Sequence, residues 1–265
     1  MVGPAESQYD VRFRLLDIPV RIHWMFWVVM AVLGWERHNL PLVALFVGCA
    51  FISILVHEYG HGLMGKSFGS APSIVLWAMG GLCYSQAERQ SLGQRLAVVL
   101  AGPAAGLALY FLVMVITSAL FGLTPSEHLS ISELLVGIRP RLENLTSAHL
   151  KFPDSVSFEI YWYLIQINLL WSLLNLLPIW PLDGGQATQI LLSLYDRTRG
   201  PRWGHIVSLL VAGGLAIMAF SQGSDNVFRG LFLAYFAIVN YQMLQSLHLT
   251  QTMGRYGDDD DWWRR

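Results

Sequence analysis

In the stretch ISILVHEYGHGLMG, residues 52–65, an apolar run presents His57, Glu58 and His61 without losing its helical period. On a helix the two histidines stand four residues apart, on one face and one turn above the other. Two imidazoles so placed can close on one tetrahedral zinc ion, and Glu58, one position on, can reach the open coordination site as a base. Charged groups in a bilayer cost on the order of a few kcal/mol each and persist where they coordinate, pair or transport. A zinc centre that does chemistry usually has three protein ligands and keeps a fourth place for water. The third ligand must then come from another segment, and NLLWSLLNLLPIWPLDGGQ supplies Asp183. Pro178 and Pro181 break the helix just before it, freeing backbone that must line a cavity or lie buried in protein at membrane depth. Asp183 can also be read as the N-cap of a helix over residues 184–195. Asn175, buried in an otherwise apolar run, can donate to substrate backbone or to a neighbouring helix.

The elements that must hold these residues follow from composition and periodicity. Of the 265 residues, 54% are hydrophobic and 13% charged, against about a quarter charged in a soluble domain, and the mean hydropathy is +0.45. The chain reads as an integral membrane protein in contact with the lipid bilayer. A net charge of -1 supplies no basic field for nucleic acid. Cys49 and Cys83 show no ligand spacing and read as apolar filling. The N-terminus lacks the pattern of a signal peptide, so the first apolar run is expected to stay in the mature protein. Six apolar segments can be marked, at roughly 22–35, 40–67, 92–121, 158–177, 205–221 and 227–247. The expected fold is an all-α polytopic membrane protein of about six transmembrane helices in a single domain over residues 1–265. Its core covers about 18–195, two further spans lie in 205–247, and a disordered tail follows from about 250. Twelve of the 17 Lys and Arg residues fall on one side of this threading, among them Arg12, Arg14, Arg21 and Lys66. That excess places both termini in the cytoplasm. With an N-terminus inside, the second and fourth spans run the same way, which gathers His57, His61 and Asp183 at one depth near the inner face. Two stretches read as short membrane-associated strands. DVRFRLLDIPVRIHW alternates with a period of two, and PSIVLWAMGGLCYS reads as a strand, a Gly80-Gly81 turn and a return.

HEYGH within a span, followed by Asn175, Pro178 and PLDGG, resembles the site-2 protease family of intramembrane zinc metalloproteases. IPVRIHW, WAMGGL and LAGPAAG are similar to further family elements, and the likeness runs from about residue 18 to 195. It implies zinc bound by His57, His61 and Asp183, with Glu58 as catalytic base and Asn175 near the substrate. It also implies hydrolysis of peptide bonds in or near the transmembrane segment of a single-span membrane protein, in a bacterial inner membrane and near its cytoplasmic face. Gly106 departs from the pattern, since the family commonly has Asn three residues after the AGP proline. No PDZ or CBS domain is apparent, so the likeness is to a compact form. SIVLWAM or FRLLDIPV could offer a strand edge to an unwound substrate.

The remaining features have plainer readings. His23 reads as an interfacial anchor, and His38, His128 and His149 as solvated residues of outer loops. The small residues of LAGPAAG allow close helix approach, and Trp262 and Trp263 suit an interface belt. Clustered His, Glu and Asp also mark ion pathways, so a transporter is the competing class, beside a membrane binding protein that does not cut. Polar groups at one depth and the absence of an inverted repeat speak against a transporter.

Overall fold

A computed structural model describes residues 5–35, 39–84, 90–137, 142–223 and 226–259. His38, Arg37, Arg139, Arg141, Trp262 and Trp263 lie outside the described residues. The chain divides into two compact units, Met1–Leu174 and Asn175–Arg265.

The first unit opens with a β-hairpin, β1 (Val11–Leu15) and β2 (Ile18–Ile22), closed by Leu16 and Asp17, both at positive φ. That is the two-residue turn whose twist matches paired strands. The period of two seen in the sequence is real: Ile18, Val20 and Ile22 all point into a buried core. The short helix α1 (Trp24–Leu33) and the long helix α2 (Leu40–Ser67) come next, then β3 (Ser73–Trp77) and β4 (Gly80–Tyr84). The strands form one sheet in the order β1-β2-β3-β4, with β2 parallel to β3 and the other pairs antiparallel. Among the described residues β1 and β4 are the outer strands of this sheet. SIVLWAM is therefore mostly an interior strand, with no edge to offer. The turn between β3 and β4 is also displaced from its expected place. Ala78 and Met79 make it, and Gly80 already pairs with Trp77. Gly80 adopts φ +108°, and a Cβ there would run into the Trp171 ring, so glycine is required on both counts. His23 is not merely an anchor: its ring accepts from the Met25 N–H as the N-cap of α1, and its own N–H donates to the Leu76 carbonyl of β3.

The helix α3 (Leu92–Phe121) begins at a Ser91–Gln94 capping box and keeps Pro103 inside it. It packs on α2 so closely that a Cβ at Gly60 would strike the Ala101 carbonyl, which is the small-residue approach expected of LAGPAAG. The segment read as an outer loop instead forms α4 (Pro125–Leu135) and α5 (Leu142–Leu150). His128 is correspondingly not solvated. It is buried, with its ring nitrogens paired to Tyr161 and Ser118, and burial pushes its pKa down. Beside it Glu127 takes Lys151 at 2.7 Å and the Ser147 hydroxyl at 2.6 Å. Burial alone would raise the Glu127 carboxyl, but these bonds and those from Thr124 outweigh it and hold the pKa at about 2. His149 is exposed, as expected. The helix α6 (Ser155–Asn175) packs its Tyr161 and Ile165 against Tyr110 and Val113 of α3.

The second unit holds α7 (Asp183–Tyr195), α8 (Gly200–Ser221) and α9 (Val227–Asp259), around a small core of Ile179, Ala212 and Phe236. Among the described residues, four helices are long and apolar enough to cross a membrane: α2, α3, α8 and residues Val227–Leu247 of α9. Two of the six expected spans fall short of that standard. At 10 residues α1 reaches about 15 Å, half the hydrocarbon thickness. At 21 residues α6 is long enough, but Glu159, Gln166, Asn168 and Asn175 dilute its apolarity. Two of these are there for the interior: Asn168 and Asn175 are buried.

Candidate metal centre

His57, Glu58 and His61 lie in the second half of α2, and all three are buried. The helical spacing does what the sequence implies. The two Nε2 atoms approach to 3.2 Å, while two nitrogens each bonded about 2.0–2.1 Å from a tetrahedral zinc would stand roughly 3.3 Å apart. The Nδ1–H of His61 donates to the Val98 carbonyl of α3 at 2.8 Å. That bond fixes the tautomer and leaves the Nε2 lone pair turned towards its neighbour, the arrangement in which a histidine ligates a metal.

Two glycines make room for these side chains, and both lie in motifs that looked structural in the sequence. A Cβ at Gly102 would overlap the Nε2 edge of His61, so that edge of the ring packs against α3 at Gly102. A Cβ at Gly81 would overlap the carboxylate arm of Glu58, which places β4 directly on that side chain. Gly106, where the family pattern commonly has Asn, faces the Ser172 hydroxyl, and a Cβ added there would lie 3.8 Å from the His57 Nδ1. One hydrogen bond missed by sequence reasoning ties α6 to α2 a turn before His57: the Asn168 amide donates to the Ser53 hydroxyl at 2.9 Å.

In the second unit Asp183 is the first residue of α7 and is buried. The N-cap position belongs to Leu182, one residue before Asp183. The loop before it is folded tightly. Cβ atoms at Gly184 and Gly185 would strike the backbone at Leu176 and at Ile179–Trp180 respectively. Asn175 ends α6 and is buried. His57 and His61 of the first unit and Asp183 of the second are the three candidate ligands. Two imidazoles and one carboxylate are a donor set suited to zinc, so the residues fit such an ion.

The model of peptidase family M50 matches residues 45–221, well over half of the chain and all three of these residues. The chain belongs to peptidase family M50, the site-2 protease family. Rip3 of Mycobacterium tuberculosis, named as a zinc metalloprotease, is 28% identical to this M50 chain over 225 residues, covering 77% of it and 50% of Rip3. The similarly named sll0528 of Synechocystis is 29% identical over 199 residues, 74% of this chain and 44% of its own. Zinc metalloprotease MJ0392 of Methanocaldococcus jannaschii is 22% identical over 212 residues, 78% and 50% of the two chains. The chain thus spans about half the length of the curated relatives it matches. Membership and the four apolar helices agree on an integral membrane protein.

Proposed function

We propose that this chain is a zinc-dependent endopeptidase that cuts peptide bonds in or near the membrane-spanning segment of membrane-anchored proteins, as in regulated intramembrane proteolysis. The observation that carries the reading is the His57–His61 pair, whose Nε2 atoms stand 3.2 Å apart with Glu58 buried between them in sequence. His57, His61 and Asp183 would hold the ion. Bound there, zinc supplies a Lewis acid for the substrate carbonyl and lowers the pKa of water to about 7. Glu58 takes the proton of the attacking water and returns it to the departing amine. Asn175 donates a hydrogen bond to the substrate backbone or to the charge developing on its carbonyl oxygen.

A transmembrane substrate hides its peptide bonds in helical hydrogen bonds and must be locally unwound before it can be cut. The outer side of β4 is the surface best suited to receive the extended segment, because β4 is the last strand of the sheet among the described residues and its Gly81 lies on Glu58. The substrate is a single-span membrane protein. The Lys and Arg asymmetry supports both termini in the cytoplasm, with α1 and α6 counted among the membrane helices and cleavage near the cytoplasmic face, in a bacterial inner membrane.

The test is to purify the chain in detergent, measure its zinc, and compare cleavage of a single-span substrate by the parent and Glu58→Gln. The variant should keep the metal and lose activity by about 10²–10⁴-fold, the range expected of a general base. Undiminished cutting by the variant would remove the enzymatic reading, and a parent without zinc would remove the metal site.

A further inference from the structure

The loop that precedes Asp183 has few hydrogen bonds of its own, because Pro178 and Pro181 interrupt the helix and Pro181 has no N–H. Its central peptide groups are instead held from outside. The Trp180 N–H donates to the Ser208 hydroxyl of α8 at 2.9 Å, and the Trp180 carbonyl accepts from the Asn240 amide of α9 at 2.7 Å. Ser208 and Asn240 have no exposed surface. Gly185, in the first turn of α7, packs on the same Trp180 backbone with no room for a Cβ. Fixing Trp180 therefore fixes the start of α7, where Asp183 sits.

The orientation of Asn240 is determined by its surroundings. Its amide donates to the carbonyls of Trp180 and Phe236, so its Oδ1 must accept, and the acceptor faces the Nδ1 of His205 at 2.8 Å. His205 then carries its proton on Nδ1, and its Nε2 accepts from the Gln189 amide of α7 at 3.1 Å. The circuit runs from the loop to α9, to α8 and back to the helix that Asp183 begins. Every member has one consistent donor or acceptor role, and a buried network of this kind specifies a single arrangement.

We propose that Asn240 is a positioning residue for the Asp183 carboxylate, acting through the backbone of Trp180, with Ser208 as the second jaw of the same clamp. Asn240 lies beyond the residues matched by the family model, which end at 221. The inference rests on Asp183 being a metal ligand. Partners of metal ligands typically alter metal affinity by about 10–100-fold when removed.

The experiment is a double-mutant cycle on zinc affinity, measured by chelator competition in detergent for the parent, Asn240→Asp, Asp183→Asn and the double variant. Asn240→Asp keeps the acceptor for His205 but replaces the donor to Trp180. It should weaken zinc by about 10–100-fold in the parent and less than about twofold in the Asp183→Asn background. A purely structural role would weaken zinc equally in both backgrounds, and that result overturns the proposal, as does an unchanged affinity in the single variant. If Asp183→Asn binds zinc as tightly as the parent, the ligand assignment itself fails and the proposal falls with it. Ser208→Ala, a smaller change, should shift affinity in the same direction and provides the readout if Asn240→Asp does not fold.

Discussion

The two regions that supply the candidate ligands hold them by opposite means. His57 and His61 ride on the interior of a 28-residue helix, so their backbone needs no outside help, and the His61 ring is located by the Val98 carbonyl and by the space left at Gly102. Asp183 starts a helix after a proline-broken loop, and that backbone is held by hydrogen bonds from residues 28 and 60 positions beyond Trp180. A helix-borne ligand should therefore tolerate the loss of distant polar contacts but not an added methyl group nearby. A loop-borne ligand should behave in the reverse way.

The largest effect expected from that contrast is at Gly102. Replacing it by Ala puts a methyl group where the Nε2 edge of His61 lies. The ring must turn away and break its bond to the Val98 carbonyl. Zinc affinity should fall by about 100-fold, the upper end of the range for disturbing what orients a ligand, while the unfolding temperature changes little. Zinc binding retained at parental strength would show that the ring has another place to go, and the contrast between the two regions would be lost.

That glycine illustrates what was legible in the chain and what was not. The HEYGH spacing is readable because a helix converts sequence distance into a fixed face, and the alternation in VRFRLLDIPVRI is readable because a strand does the same with a period of two. Gly102 was recognised as small, but which side chain fills the space depends on how α2 and α3 cross, and no local pattern encodes that. The helix α4 was missed although Thr124, Pro125 and Glu127 spell a capping box with proline at the first helical position. Its 11 residues are too few for periodicity to stand out. The burial of His128 was missed with it. Two of the six expected spans fall below the length and apolarity of the other four because α1 has 10 residues and α6 turns polar residues such as Asn168 and Ser172 inward. The Trp180 clamp is the least legible feature, since Ser208 and Asn240 are single polar residues in ordinary apolar helices and only tertiary contact gives them meaning.

A smaller effect is expected at the α4–α5 pair. Glu127→Gln removes the charge that Lys151 faces at 2.7 Å. Lys151 is 30% exposed, so the loss should be about 1–3 kcal/mol, below that of a fully buried ion pair. The pH dependence has a definite sign. The folded Glu127 carboxyl is depressed to about 2 from an ordinary 4.5. Its contribution is therefore complete above the ordinary value and is lost as pH falls through the folded one. Thermal unfolding of the parent should drop across that window more than that of Glu127→Gln, with zinc affinity at neutral pH the same in both. A change in affinity there would mean that the helix-borne ligands do respond to distant polar contacts.

The smallest effect is expected at the bond nearest the histidines. Ser53→Ala removes the acceptor for the buried Asn168 amide. Asn168 keeps a second acceptor in the Leu164 carbonyl at 2.9 Å, so its amide is not stranded. Hydrogen bonds between membrane helices average about 0.6 kcal/mol in double-mutant cycles, and the unfolding free energy of Ser53→Ala should fall by about that amount. Although Ser53 lies one turn from His57 on the same helix, zinc affinity should not change. Asn240, 57 residues beyond Asp183 in the chain, should matter far more to the metal. Proximity along a rigid helix would then count for less than control of a loop's backbone, and a Ser53→Ala variant that weakened zinc as much as Asn240→Asp would reverse that ranking.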